Sequence, residues 1–277
     1  MPATLYVVAT PIGNLGDVSL RALEVLRSVA LIACEDTRTT RTLLARHGIK
    51  TRTISYHEHN EKSRAAELAS RLEGGDDIAL VSDAGTPGIS DPGYRLVAAA
   101  RQKGIPVRAV PGPSAVLAAL SVSGLPTSSF CFYGFLPRRG SARLQAIESL
   151  ATSTRTAVLF ESPQRARALL EELAERLGPR PAFLAREITK IHEEHRAGSL
   201  AELASWVREK PPRGELTLVI EGAPRRTTSL PAAAVQQRFA ALTAQGLKRR
   251  QAVKVLAEET GLPSRLLYRR LLRPEAD

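Results

Sequence analysis

Short apolar runs alternate with amphipathic stretches over the first 120 residues of this chain. The runs at 4–9, Val29–Cys34, Arg52–Ser55, Asp77–Ser82 and Pro106–Val110 read as strands. Helical spacing of apolar positions falls between and after them, at Leu20–Ser28, Thr39–His47, Glu61–Glu73, Tyr94–Lys103 and Ser114–Ser121. Asp17 or Ser19 is placed to cap the first helix and Asn60 the third. Strict alternation of strand and helix predicts a mostly parallel sheet with helices on both faces.

Gly124-Leu-Pro126 reads as a boundary, and a second α/β unit follows. Its predicted strands are Phe130–Leu136, Thr156–Glu161, Ala182–Arg186 and Leu216–Glu221, with helices over Gln164–Leu177 and Ser199–Glu209. Arg225–Leu230 is a polar linker. Beyond Pro231 the pattern is helical throughout: Ala232–Gln245, Arg249–Thr260 and Ser264–Arg273. The expected organisation is therefore an N-terminal α/β lobe (1–123), a second α/β lobe (124–224) and a small all-α extension (225–277). In that extension Ala252, Val253, Leu256 and Ala257 form one apolar stripe and Gly261-Leu-Pro-Ser264 makes a turn. Leu266, Leu267 and Leu271 pack the next helix, which gives a helix–turn–helix pattern with Arg265, Arg269, Arg270 and Arg273 outward.

Charge sharpens this division. The net charge is +11, but residues 1–123 and 124–223 contribute only +2 each, leaving +7 for 224–277. A basic end of that kind suits a polyanion such as nucleic acid. The competing explanation is a solvated basic face without a partner. Aromatic residues make up 4% of the chain, too few for a base-stacking sheet of the RNA-binding kind. No apolar run approaches the roughly 20 residues that span a bilayer, and the N-terminus enters a strand at once. The only two cysteines, Cys34 and Cys131, sit in apolar surroundings and read as buried thiols. These features point to the cytoplasm and to no membrane partner.

Candidate chemistry lies in three turns that follow strands: Thr10-Pro-Ile-Gly-Asn14, Ser82-Asp-Ala-Gly-Thr-Pro-Gly-Ile-Ser-Asp-Pro-Gly93 and Pro111-Gly-Pro-Ser-Ala115. In an open α/β sheet, loops at the carboxyl ends of strands converge on one ligand crevice. Neither G-x-G-x-x-G nor G-x-x-x-x-G-K-[ST] occurs. The middle turn holds Asp83 and Asp91 and no lysine, so it suits a ligand with amino groups or positive charge. S-adenosylmethionine has both, in its ammonium and its sulfonium. Structural turns are the bland alternative. His57-Glu-His-Asn-Glu61 has two histidines but no convincing third metal ligand, and reads as a substrate-binding or cap-forming loop. His192-Glu-Glu-His195 lacks the spacing of a helical zinc motif. Glu35-Asp-Thr-Arg38 and Ala185-Arg-Glu-Ile-Thr-Lys190 put charged clusters at strand ends, where either catalysis or surface ion pairing places them.

With these residues laid out, the chain resembles the S-adenosylmethionine-dependent tetrapyrrole methylase superfamily. The segments that carry the likeness include Thr10-Pro-Ile-Gly-Asn-Leu15, Glu35-Asp-Thr-Arg38, His57-Glu-His-Asn-Glu61 and Ser82-Asp-Ala-Gly-Thr-Pro87. Asp91-Pro-Gly93, Pro111-Gly-Pro113, Gly134-Phe-Leu-Pro137 and Ala185-Arg-Glu-Ile-Thr-Lys190 complete the ordered set. The match is best to the branch that methylates a ribose 2′-hydroxyl of a cytidine in the decoding region of 16S ribosomal RNA. Members that modify tetrapyrroles usually have a glycine-rich first loop and a Gly-Asp-Pro second loop, whereas this chain reads Thr-Pro-Ile-Gly and Ser-Asp-Ala-Gly there.

The resemblance implies a homodimer of two-lobed subunits with the cofactor in the cleft between lobes. It implies cofactor contacts at Pro11, Ile12, Gly13, Ser82, Asp83, Ala84, Ser114, Ala115, Glu161 and Ala185. It also implies the small ribosomal subunit as substrate. The histidine and acidic spacings give no metal site, and the basic helical extension is expected to anchor the RNA or ribosome through Lys248, Arg249, Arg250, Arg265, Arg269 and Arg270. An alcohol is a poor nucleophile until its proton leaves, and a lysine with a lowered pKa or a carboxylate could accept it. The expected catalytic group is Lys190, oriented by Glu187 and Asp36, with Arg38 holding a phosphate and His59 the second choice of base. Two other readings stand beside this one: a methyltransferase acting on a small tetrapyrrole or a protein side chain, and a non-catalytic nucleic-acid-binding protein that senses S-adenosylmethionine.

Overall fold

The computed structural model describes residues 3–224 and 231–272. The predicted linker 225–230 and Arg273 lie outside the described residues. The first five strands are β1 (Leu5–Val8), β2 (Leu31–Cys34), β3 (Thr53–Ser55), β4 (Ile78–Val81) and β5 (Val107–Val110). They form one sheet in the order β3-β2-β4-β1-β5, and every pairing in it is parallel.

Successive side chains of a strand point to opposite faces, and both faces of this sheet are buried. Ile32, Cys34, Ala79 and Val81 pack under Ala22, Leu23 and Leu26 of α1 (Leu20–Ser28) and Leu43 and Leu44 of α2 (Thr37–Arg46). On the other face, Leu31, Ala33, Ile78 and Leu80 pack under Leu68 and Leu72 of α3 (Glu61–Glu73) and Leu96 and Ala100 of α4 (Tyr94–Gln102). Ser19 caps α1 by accepting from the Ala22 amide at 3.1 Å. Asn60 does occupy the N-cap of α3, but its side chain turns back. Its Oδ1 accepts from the His57 amide at 2.9 Å, so it braces the 57–60 turn and leaves the helix uncapped.

The second sheet contains β6 (Phe130–Phe135), β7 (Thr156–Glu161), β8 (Pro181–Arg186), β9 (Glu194–Ser199) and β10 (Leu216–Ile220), in the order β6-β7-β10-β8-β9. Only β6–β7 is parallel; the other three pairings are antiparallel. One face packs on α6 (Ser141–Thr152), α7 (Pro163–Leu177) and α8 (Leu200–Glu209). The opposite face, with Val158, Phe183, Ala185 and Val219, packs on Val116, Ala119 and Leu120 of α5 (Ala115–Val122). The helix that follows the first sheet in sequence therefore lies against the second. Both sheets belong to one compact unit that ends at Gly222.

A second unit begins at Ala223. It holds α9 (Ala232–Ala244), α10 (Arg249–Thr260) and α11 (Ser264–Leu272) around Val235, Leu242, Ala252, Val253, Leu256 and Leu267. Gly261 ends α10 with a left-handed φ of 68°, and Arg238 of α9 pairs with Glu259 of α10 at 2.6 Å. None of the described helices is long and apolar enough to cross a membrane.

Candidate active site

Parallel pairing places the carboxyl ends of β1, β2, β4 and β5 along one edge of the first sheet. The loops that leave this edge are tied together. Thr10, just after β1, exchanges backbone hydrogen bonds with Gly85 after β4, at 2.9 and 3.1 Å. The Thr10 hydroxyl also donates to the Ser82 carbonyl at 3.1 Å. From the second sheet, the antiparallel register sets Leu216 of β10 opposite both Glu161 of β7 and Arg186 of β8.

These loops and strand ends enclose a cavity of about 400 Å³. Its lining includes Ile12, Asp83, Ala84, Ser114, Ala115 and Glu161, six of the ten cofactor contacts implied by the sequence. The other four lie elsewhere. Pro11 is buried, and Ser82 is 3% exposed and points its hydroxyl at the Ala84 carbonyl. Ala185 is wholly buried against α5. Gly13 lines a separate groove. The cavity adds Glu35, Phe135, Phe160, Glu215 and Thr217, to which sequence reasoning assigned no cofactor role, and Asp91, which the sequence placed in the turn suited to a cationic ligand.

The cavity is electrostatically biased. Burial pushes the Asp91 carboxyl up to about 6; a hydrogen bond with Ser82 pulls it down, and Glu35, Asp83 and Glu215 add to the rise. Burial raises Glu35 and Asp83 too, and their mutual proximity adds to the shift of Glu35. Clustered carboxylates short of solvent are stabilised by a cation. Apolar walls from Ile12, Val116, Phe135, Phe160 and Ile188 complete a site for a ligand with a flat base and a positive centre. S-adenosylmethionine fits that description, and these residues would hold it; when bound it supplies an electrophilic methyl group on a sulfonium.

The predicted catalytic residues do not form one cluster. Lys190 and Glu187 line the groove that contains Gly13, a space of about 1090 Å³. The Lys190 ammonium donates to Glu187 at 2.9 Å and to Glu215 at 3.0 Å. Since Glu215 also faces the first cavity, Lys190 stands at the wall between the two spaces. Burial favours the neutral amine, but the bonds to Glu187 and Glu215 outweigh it and raise the lysine above its ordinary value. The lowered pKa expected of a lysine base is therefore absent here, because two carboxylates neutralise the charge that burial alone would expel.

Asp36 does not orient Lys190. It caps α2, accepting from the Arg38 amide at 2.7 Å, and pairs with the Arg38 guanidinium. That guanidinium holds the Asp36 carboxyl down at about 2. The Arg38 side chain is 86% exposed, with its guanidinium turned back onto Asp36. His59 is exposed on the 57–60 turn, its ring 5.9 Å from that of His57. Arg186 of the same charged cluster pairs with Glu194 at 3.1 Å. In the helical unit Lys248, Arg249, Arg250, Arg265, Arg269 and Arg270 are all exposed.

Glycine makes the Lys190 geometry possible. A Cβ on Gly13 would come within 2.4 Å of Lys190 Cγ, so the lysine stem lies directly on the Gly13 backbone. A Cβ on Gly214 would meet the Glu187 carboxyl at 2.2 Å, and Gly214 has φ +81°.

Two sheets whose strand-end loops close on a cationic-ligand cavity describe a methyltransferase of the two-lobed α/β kind. A solved structure of the same fold is uroporphyrin-III-C-methyltransferase from Thermus thermophilus, with a TM-score of 0.54 and 24% identity, covering 78% of this chain and 94% of that one. The sequence profile of the Tetrapyrrole (Corrin/Porphyrin) Methylases matches residues 4–204, and the chain belongs to that family. Among its curated relatives is a ribosomal RNA small subunit methyltransferase I from Synechocystis sp., 49% identical over 99% of each chain. Another of the same name, from Micromonospora olivasterospora, is 47% identical over 96% of this chain and 85% of its own length.

Proposed function

We propose that this protein transfers the methyl group of S-adenosylmethionine to the ribose 2′-hydroxyl of a cytidine in the 16S RNA of the small ribosomal subunit. The observation that carries the proposal is Lys190, which faces an open groove while bonded to Glu215 of the cofactor cavity. Methyl transfer from a sulfonium is an in-line displacement, so alignment of acceptor oxygen and methyl carbon supplies much of the rate. The relatives' name gives the acceptor class.

In this reading the 2′-oxygen takes the methyl carbon as its bond to sulfur breaks and S-adenosylhomocysteine leaves, the hydroxyl proton passes to solvent in the open groove, and Lys190 remains an ammonium that meets the negative charge developing on the oxygen. Glu187 holds the lysine in place, and Arg38 contacts a phosphate. The exposed cations of the helical unit anchor the RNA. The protein acts in the cytoplasm as a homodimer. Exposed apolar side chains on α5, Leu117 at 57% and Val122 at 53%, are suited to a subunit contact.

The test is transfer from labelled S-adenosylmethionine to small subunits from cells lacking this gene, with the product mapped by nucleotide. Label in a 2′-O-methylcytidine is expected. Cofactor binding without label in RNA would return the acceptor to a small molecule or a protein side chain. The Lys190→Ala variant should lose about 10²–10³-fold in turnover and bind S-adenosylmethionine as the wild type does. Full turnover in a folded Lys190→Ala protein would remove the lysine from the mechanism.

A further inference from the structure

The groove on the far side of Lys190 has features of its own. Its lining includes Asn14, Arg46, His47, Thr189, Lys190 and Ile191. Two of these carry polar atoms that are buried and unpartnered, His47 Nε2 and Thr189 Oγ1. Buried polar atoms are usually satisfied, so two unpartnered ones on residues that line the same groove mark a wall with unused hydrogen-bonding capacity. The groove offers the Arg46 guanidinium, the His47 imidazole, the Asn14 amide and the Thr189 hydroxyl, beside the Lys190 ammonium that neutralises the Glu187 carboxylate in the same lining. This set suits phosphate and ribose oxygens.

The loop that supplies Thr189, Lys190 and Ile191 is held in a fixed shape. Glu187 and Thr189 adopt left-handed φ values of 51° and 67°, conformations that cost non-glycine residues energy and persist only when their surroundings impose them. The Lys190 amide donates to the Glu187 carbonyl at 2.9 Å, and the Thr189 amide to the Glu193 carboxylate at 2.7 Å. This bracing presents Ile191 with 95% of its surface exposed, at the rim of a polar groove. An apolar side chain on a rigid loop beside cations can insert against an unstacked base.

Adjacent residues divide between the two spaces: Ile12 faces the cofactor cavity and Gly13 the groove, as do Ile188 and Thr189 respectively. We propose that this groove is the acceptor-strand site. Arg46, His47 and Thr189 hold the ribose-phosphate flanking the methylated residue, and Ile191 packs against a neighbouring base. The proposal rests on the reading that RNA is the acceptor and adds where the strand lies.

The experiment uses the full chain and unmethylated small subunits. Arg46→Glu should raise KM for subunits by about tenfold, the worth of a charged hydrogen bond, with kcat and cofactor affinity within about twofold. A photo-crosslinking amino acid in place of Ile191 should attach to ribosomal RNA within a few nucleotides of the modified cytidine. Wild-type enzyme that leaves subunits unmethylated would defeat the RNA reading itself. Wild-type activity on subunits, with an unchanged KM for Arg46→Glu and no RNA crosslink from position 191, would overturn the groove assignment alone. A crosslink from position 191 to a second copy of the chain would also overturn it, by making the loop a subunit contact.

Discussion

Asp91 turns the charge of the cavity proposed for the cofactor into a pH dependence. Its carboxyl, raised to about 6 by burial, is neutral below that pH and anionic above it. A cationic ligand favours the anion, so affinity for S-adenosylmethionine falls as pH drops through 6. By linkage the fall approaches about tenfold per pH unit below the transition. Calorimetric titration between pH 5 and 7 should show this decline in the wild type and a weaker, flatter affinity for Asp91→Asn. An identical pH slope in both proteins would exclude Asp91 as the titrating group. At this scale the turns point to a ligand crevice at the strand ends, and the family resemblance supplies the individual contacts Ile12, Asp83, Ala84, Ser114 and Ala115 that line the cavity. It hides Glu215, Thr217 and Phe160. They reach the cavity only because β10 and β7 pair antiparallel, a register fixed by contacts between distant segments. It also misplaces Asp36, a good catalytic carboxylate by type, whose hydrogen bonds go to capping a helix that begins two residues earlier than its apolar spacing indicates.

Elements were legible where their apolar pattern was strong. The parallel strands and the helices that cover them are apolar on the faces they bury. Two elements escaped for physical reasons. The helix α6 buries only Ile147 and Leu150, and starts after Gly140 without a side-chain cap. The strand β9 (Glu-His-Arg-Ala-Gly-Ser) is polar and pairs with β8 alone, so its extended shape comes from its partner. Its last residue, Ser199, also opens α8 with a capping box to Glu202. The central strand of that sheet matters most to stability. Leu218 of β10 is 1% exposed and packs among the helices of its face. The substitution Leu218→Ala should cost about 2–5 kcal/mol, read as a lowered denaturation midpoint with an unchanged slope. A loss under about 0.5 kcal/mol would show that the site collapses around the smaller side chain.

For the whole molecule, charge and architecture coincide. The residues from 224 onward carry +7 of the +11 total, and the helical unit begins at Ala223. Deleting 231–277 should weaken binding to small subunits and flatten its salt dependence, by about 0.7 in the logarithmic slope for each lost contact to single-stranded phosphate. Cofactor affinity should stay within about twofold, as measured on the same protein. Undiminished subunit binding would remove the helical unit from RNA recognition. The strand orders carry a consequence for synthesis. β1, made first, pairs with β4 and β5, so its two neighbours emerge only with residues 78–81 and 107–110. β10, made last, fits between β7 and β8. Neither sheet can close from its growing end, and a chain halted before Leu216 would leave β7 and β8 each with an open edge. Such edges invite pairing between nascent chains, so ribosomes stalled near that point should yield aggregates that ribosomes stalled past residue 222 do not.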